Sequence, residues 1–408
     1  MSAEKKAPPR LDADRLLDDP RTRIIVCCGS GGVGKTTTAA ALGLRAAERG
    51  RHVVVITVDP ARRLAQSMGL SSLDNTPRPV PLPEGGTAAG GTLHAMMLDM
   101  KRTFDEIVET HAEPGRSEQI LANPFYQSLS SSFAGTQEYM AMEKLGQLRR
   151  SEQWDLIVVD TPPSRSALDF LDAPQRLARF LDGKLLRLLT APAKIGGRAY
   201  LRVLNAGFGM VTGVLTKILG TQVLRDVQTF VSALDTMFGG FRERADYTYQ
   251  LLRAPGTSFL VVAAPEDDAL REASYFVERL DQERMPLAGL ILNRVQQVPA
   301  AHLSAARSLA AAEVLQGSVP DPLAGRASAA ARTKTKKDEP EAEARLLTIA
   351  ALRLHAGRME QAAAQRRTAE HFTAAHPLVP VVEVPAQPED VHDLEGLRRI
   401  GLAFENNR

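Results

Sequence analysis

The run Gly29-Ser30-Gly31-Gly32-Val33-Gly34-Lys35-Thr36 has the spacing G-x-x-x-x-G-K-[ST], and the chemistry of that pattern is the holding of a phosphate chain. Small residues let the backbone wrap closely round phosphate oxygens. Successive N–H groups and a helix N-terminus then supply positive potential. In such a loop Lys35 reaches the β- and γ-phosphates and the Thr36 hydroxyl is a Mg2+ ligand. The pattern implies a nucleoside triphosphate.

Two aspartates complete the chemistry. Thr57-Val58-Asp59-Pro60-Ala61-Arg62 and Ile157-Val158-Val159-Asp160-Thr161-Pro162-Pro163-Ser164 each follow an apolar run, and in an open α/β sheet ligands gather at the carboxyl ends of strands. Asp160 reads as the Walker B carboxylate, acting on Mg2+ directly or through water. Asp59 reads as the group that orients and activates the attacking water, within reach of the same metal. Phosphoryl transfer rests on positioning and charge neutralisation, so Lys35, Mg2+ and one placed carboxylate suffice. No Asn-Lys-x-Asp signature accompanies Leu292-Asn293-Arg294-Val295-Gln296. ATP is therefore favoured over GTP, with Asn293 free to bond an adenine edge.

These residues need a sheet and helices to position them. Continuous Val/Ile/Leu runs predict parallel strands buried on both faces at Arg23–Cys28, His52–Val58, Leu93–Asp99, Asp155–Asp160, Ser258–Ala264, Leu287–Asn293 and Leu378–Val384. Helical patterns fall at Thr36–Arg49, Thr136–Arg149, Asp268–Glu283 and Glu389–Ile400. The fold class is α/β, a P-loop NTPase with a mostly parallel sheet flanked by helices. Two regions without strand signals, about 101–134 and 168–253, predict an inserted α-helical subdomain. Residues 1–20 read as a disordered tail, Pro77–Gly91 as a Pro/Gly-rich loop and 319–343 as a disordered, charged linker. A single long helix is predicted over Ala344–Ala375.

The chain of 408 residues carries 50 basic and 48 acidic side chains, for a net charge of +2. That balance gives no electrostatic reason to expect nucleic acid as a partner. No targeting segment precedes the first strand, so a cytoplasmic location is expected, peripheral to the membrane where a membrane partner is engaged. The only cysteines, Cys27 and Cys28, are adjacent on a predicted strand. Neighbouring strand residues point to opposite faces, so the pair reads as core packing and not as a clamp.

Taken together, Gly29–Thr37, Asp59-Pro60-Ala61, Gly135-Thr136-Gln137-Glu138, Asp160-Thr161-Pro162-Pro163-Ser164 and Asn293 resemble in order and spacing the ArsA/Get family. Its members are arsenite-pump ATPases and the ATPases that target tail-anchored membrane proteins. Within it the chain is most similar to the ArsA-like ATPases that actinobacteria carry as paired paralogues. The resemblance implies a dimer working round two nucleotides, with Gly29 to Thr37 as the phosphate cradle, switch I at Asp59 and switch II from Asp160. It further implies that Glu266 and Asn293 contact the nucleotide and that Val384-Pro385 belongs to a loop packing on adenine.

Departures from the family pattern are equally specific. The second P-loop position, usually a lysine reaching the partner's phosphates, is Ser30. Arg62 and Arg165 stand at or near two positions usually held by histidine, and the arsenite-binding and zinc-binding cysteines are missing. The expected assembly is a homodimer, or a heterodimer with a paralogue that keeps the trans lysine. Leu185–Leu224 is rich in apolar residues, but its uncharged run, Val203–Thr216, is fourteen residues long, short of the ~20 that span a bilayer. It reads either as a groove for a hydrophobic client or as packing within the helical subdomain. Three activities follow from these readings: an ATP-hydrolysing switch or targeting factor, the ATPase subunit of an anion or metalloid efflux system, and an ATP-binding scaffold with little hydrolysis alone.

Overall fold

The computed structural model describes residues 8–59, 63–82, 90–112, 115, 117–124, 126–127, 136–162, 243–244, 246–317 and 338–405. Most of the expected helical insertion lies outside these residues, including 185–224, as do 319–337 of the expected linker.

Apolar runs do become the strands. They form β1 (Ile24–Cys28), β2 (His52–Thr57), β4 (Thr92–Met97), β5 (Leu156–Asp160), β6 (Thr257–Ala263), β7 (Leu287–Val295) and β8 (Val381–Pro385), with a two-residue edge strand β3 (Arg78–Pro79). Among the described residues the order across the sheet is β3-β4-β2-β5-β1-β6-β7-β8. Every pairing is parallel except that of β3 with β4. β3 falls inside the stretch read as loop. A Pro-containing pair of residues gives no strand pattern and is tolerated only at an edge.

Helices cover both faces. On one side α2 (Lys35–Glu48) packs on β1, β2 and β5. The other face is covered by α4 (Met100–His111), α6 (Thr136–Arg150) and α7 (Asp267–Gln282), numbered after the short helices α3 (Arg63–Ser67) and α5 (Ser117–Leu121). Alternate strand residues therefore divide between two cores. Ile24, Val26 and Cys28 belong to one, Ile25 and Cys27 to the other, so the adjacent cysteines face opposite layers as expected. Within the expected insertion α4 and α5 are helical, as is 246–253, where the chain re-enters the sheet.

Two expectations need correction. The reading of 1–20 as a loose tail fails for residues 8–19. Asp12 caps the short helix α1 (Ala13–Asp18) by accepting from the Arg15 N–H, and Leu11, Ala13 and Leu17 are buried. Pro9 and Leu11 also exchange backbone hydrogen bonds with Val381, covering the open edge of β8, a common protection for an exposed edge. A few apolar residues among many charges are enough when a sheet edge and a helix face await them. The linker reading fails at its end: 338–343 open the 38-residue helix α9 (Asp338–Ala375), which pairs with α8 (Ala305–Gly317).

The chain termini meet on the phosphate-loop helix. Arg45 of α2 donates to both carboxylate oxygens of Asp14 and to Glu405, and Arg398 of α10 (Leu394–Ala403) donates to Glu48. The hydrogen bond from Arg45 holds the Asp14 carboxyl below the ordinary carboxylate range, and the Coulomb attraction of Arg45 and Arg49 adds to it against burial. The pair is largely shielded, with side chains 10% and 20% exposed. Asp14→Asn should cost about 1 kcal/mol at neutral pH. A depressed folded-state pKa contributes stability above the unfolded value, near 3.9, and loses it as pH falls through the folded value. Urea denaturation of both proteins should therefore show a gap at pH 7 that closes below about pH 4. A gap unchanged at pH 3 would exclude the ion pair as its cause.

Candidate nucleotide site

The P-loop sits between the end of β1 and the start of α2, and its glycines are there because side chains do not fit. Gly29 has φ +147°, and a Cβ on it would lie 2.1 Å from the Val262 carbonyl oxygen on β6. Gly34 has φ +96°, and a Cβ there would lie 2.3 Å from the Asn293 amide nitrogen. That amide donates to the Val33 carbonyl at 2.8 Å. Asn293, nearly buried at the end of β7, thus braces the loop from two strands away. Val33 is itself in the core, while Gly31 and Gly32 are exposed at the tip.

Lys35 and Thr36 turn into the site. The Lys35 ammonium donates to the Ser30 carbonyl at 2.7 Å, and burial lowers its pKa against the pull of Asp160. The Thr36 hydroxyl donates to Asp160 Oδ2 at 2.7 Å, and Thr57 on β2 donates to the same oxygen at 2.8 Å. Asp160 is fully buried, and burial raises its pKa to about 6, opposed by the two threonines and Lys35 and reinforced by Asp59. Its second oxygen, Oδ1, is buried with no hydrogen-bond partner among the described residues, as is the Ser30 hydroxyl.

That orphaned carboxylate oxygen, next to a threonine hydroxyl at the head of a P-loop helix, fits a Mg2+ site. Among the described residues no cluster of three or more His, Cys, Asp or Glu exists. Mg2+ needs none here, because it keeps waters and takes substrate phosphates as ligands.

A cavity of about 1110 Å3 opens over the loop, lined by Gly32, Gly34, Lys35, Thr36, Thr37, Asp59, Thr161 and Asn293. The volume suffices for a nucleoside triphosphate. Its far wall comprises Arg294, Pro385 and the following loop 386–392, and α3 contributes Arg63, Gln66 and Ser67. Asp59 is half-buried at the end of β2, its N–H donating to Thr57 Oγ1.

The cradle residues, Asp59, Asp160 and Asn293 are brought together as expected, and so is Pro385. Two others are not. Val384 is buried in the core beneath the cleft, and Glu266 is exposed at the N-terminus of α7, outside the cavity lining. Arg62, Arg165 and Gly135 lie outside the described residues. Sequence reasoning missed Thr57, the second donor to Asp160, and Thr161, whose hydroxyl donates to the Cys27 carbonyl. Each threonine stands beside a strand-end aspartate motif, the signal that would have found it.

Sequence comparison agrees with this geometry. The family model described as anion-transporting ATPase matches residues 22–316. The chain is 32% identical over 174 residues to the ATPase GET3 of Malassezia globosa, covering 43% of this chain and 48% of that protein. It is 23% identical over 282 residues to ATPase get3 of Schizosaccharomyces japonicus, 69% of this chain and 77% of that one. With ATPase GET3 of Rhodotorula glutinis it shares 26% over 289 residues, 71% and 74% of the two chains. The chain spans about half the length of the first of these relatives and about three quarters of the other two. With a P-loop, two strand-end carboxylates and a family match over most of its length, the chain belongs to the anion-transporting (ArsA) ATPase family.

Proposed function

We propose that the chain is a Mg2+-dependent ATPase that works as a dimeric, nucleotide-driven switch or targeting factor. The observation that carries the reading is the contact of Thr36 with Asp160, whose second oxygen is buried without a partner beside Lys35. When bound there, Mg2+ neutralises phosphate charge and polarises the γ-phosphoryl group. Thr36 and Asp160 would hold it, Asp160 as the anionic ligand that its buried, unpaired oxygen is suited to be.

The remaining work belongs to the chain's own side chains. Lys35 exchanges the Ser30 carbonyl for phosphate oxygens, a neutral acceptor for an anionic one, which strengthens its hydrogen bond. Asp59, facing the cavity from the end of β2, orients the attacking water and accepts its proton. Asn293 keeps the loop in its phosphate-ready shape. Because β2 and β5 carry the carboxylates on one side of β1, the γ-phosphate points that way and the nucleoside points towards β7 and β8.

The names of the relatives and the family resemblance support a targeting role over transport. The transport reading draws on the family description, but it wants accessible thiolates for a soft metalloid. Both cysteines are buried, and burial pushes the Cys28 thiol up to about 12 and the Cys27 thiol well above its usual value. Among the described residues, no helix is long and apolar enough to cross a membrane.

Lys35→Ala should abolish measurable ATP binding and turnover. Asp59→Asn should retain ATP affinity and slow hydrolysis by roughly 10²–10⁴-fold, the usual worth of a positioned base. If D59N turns over at the wild-type rate, Asp59 does not direct the water. A second expectation concerns Ser30. A cation supplied across a subunit boundary is worth roughly 10³–10⁵ in rate, so the chain alone should hydrolyse ATP slowly and accelerate with a paralogue carrying lysine at that loop position. Equal turnover with and without such a partner would refute this, and Arg62→Ala and Arg165→Ala would show whether either arginine supplies the charge within a homodimer. For the client, a fluorescently labelled apolar helix should bind more tightly with ATP and Mg2+ than without; unchanged binding would remove the targeting role.

A further inference from the structure

Where β7 leaves the sheet its pairing with β8 slips. Leu292 pairs with Glu383 and Val295 with Pro385, so Asn293 and Arg294 stand opposite the single residue Val384. This is a β-bulge, a device that re-aims a side chain and is common beside active sites. Arg294 occupies it with φ +62°. That left-handed conformation suits glycine and asparagine and is strained for a long side chain.

Among the described residues, no contact of the side chain accounts for the strain. Arg294 is exposed and lines the cleft. Among the described residues its guanidinium has no hydrogen bond or ion pair, although Glu389 and Asp390 line the same cavity. A glycine would close the bulge without penalty, yet the chain places its largest cation there.

Position decides what that cation meets. β7 is separated from β1 by β6, which sets Arg294 roughly 10 Å from the strand that carries the phosphate loop. The carboxylates that must flank the γ-phosphate lie on the opposite side of β1. Only the nucleoside end of a bound nucleotide extends to β7. There the cleft offers the apolar rings of Pro385 and Pro388 as well as Arg294. A guanidinium is planar, weakly hydrated and stacks on aromatic faces. Resting on the reading of the cleft as a nucleotide site, we propose that Arg294 stacks on the base of the bound nucleotide and sets how tightly its nucleoside end is held.

The test is titration of the full chain by calorimetry with ADP, ATP and inorganic tripolyphosphate, using wild type, Arg294→Gly and Arg294→Lys. Glycine removes the side chain and keeps the backbone conformation. R294G should weaken ADP and ATP by the same factor, roughly 3- to 30-fold, leave tripolyphosphate binding unchanged, and raise KM without lowering kcat. Its melting temperature without ligand should equal or exceed that of wild type, since the strain is gone. R294K should not restore affinity, because an ammonium lacks the plane. Unchanged ADP affinity in R294G, equal loss of tripolyphosphate, full rescue by lysine, or a lowered melting temperature would each overturn the assignment. Failure of the wild type to bind either nucleotide would instead overturn the reading of the cleft, and this inference with it.

Discussion

A carboxylate taken fully out of water must be compensated where it stands, and the architecture round Asp160 is that compensation. The residue ends β5 at the middle of the sheet, where an isolated anion costs several kcal/mol of desolvation. Thr36 from the head of α2 and Thr57 from β2 both donate to one oxygen, and Lys35 supplies the nearby positive charge. Three elements are thereby tied to one side chain, and the register of β2 against β5, with Thr57 opposite Asp160, becomes a requirement. The oxygen left over is the functional remainder. Burial has raised the pKa of this carboxyl, so a cation arriving there meets a group that gains from being paired.

The same arrangement gives the cleft its direction. β1 is the switch point: β2 to β5 build the sheet on one side and β6 to β8 build the other. Asp59 and Asp160 lie to the first side, Asn293, Arg294 and Pro385 to the second. In the proposed mechanism, charge development and water activation are thus separated from recognition of the nucleoside by the width of several strands, with the P-loop between. Asn293 joins the halves, since the residue that ends the recognition side also fixes the Val33 carbonyl. Steric closeness enforces this: a Cβ on Gly29 would strike β6, and one on Gly34 would strike Asn293. The loop's composition is a packing constraint as much as a phosphate code.

Much of this was legible in the sequence because burial on both faces writes continuous apolar runs, and seven strands followed them. The P-loop and the strand-end aspartates were legible for the same reason, their positions being fixed by the strands that precede them. What escaped was whatever depends on a partner remote in sequence. α1 looks polar until Leu11 and Leu17 meet the sheet edge and α2. β3 is two residues at an edge, too short for any period. The resemblance implies that Val384 lies on the nucleotide, but alternation along β8 puts its side chain into the core and leaves Pro385 to the cleft. For Glu266 the expectation rests on resemblance alone, and the residue heads α7 outside the cavity lining. The bulge at Arg294 arises from the pairing of strands whose sequences are far apart, and no local pattern announces it.

Ser30 brings these constraints to one atom pair. Its carbonyl accepts the Lys35 ammonium, so the cation proposed to serve the phosphates is held by the loop itself and is already largely desolvated. Binding then needs no reorganisation of buried charge. A phosphate oxygen replaces a carbonyl, and the preorganised ammonium strengthens its bond in a water-poor site, the economy that electrostatic catalysis relies on. The Ser30 side chain contributes nothing comparable: its hydroxyl is buried without a partner among the described residues and carries no charge. If the loop acts as proposed, its own residues would hold the nucleotide, and the charge spread over the γ-phosphoryl oxygens in the transition state would call for a further cation. On the proposed reading, binding and turnover would have separable requirements in this chain, the first met by its own P-loop and the second by a charge delivered from another surface.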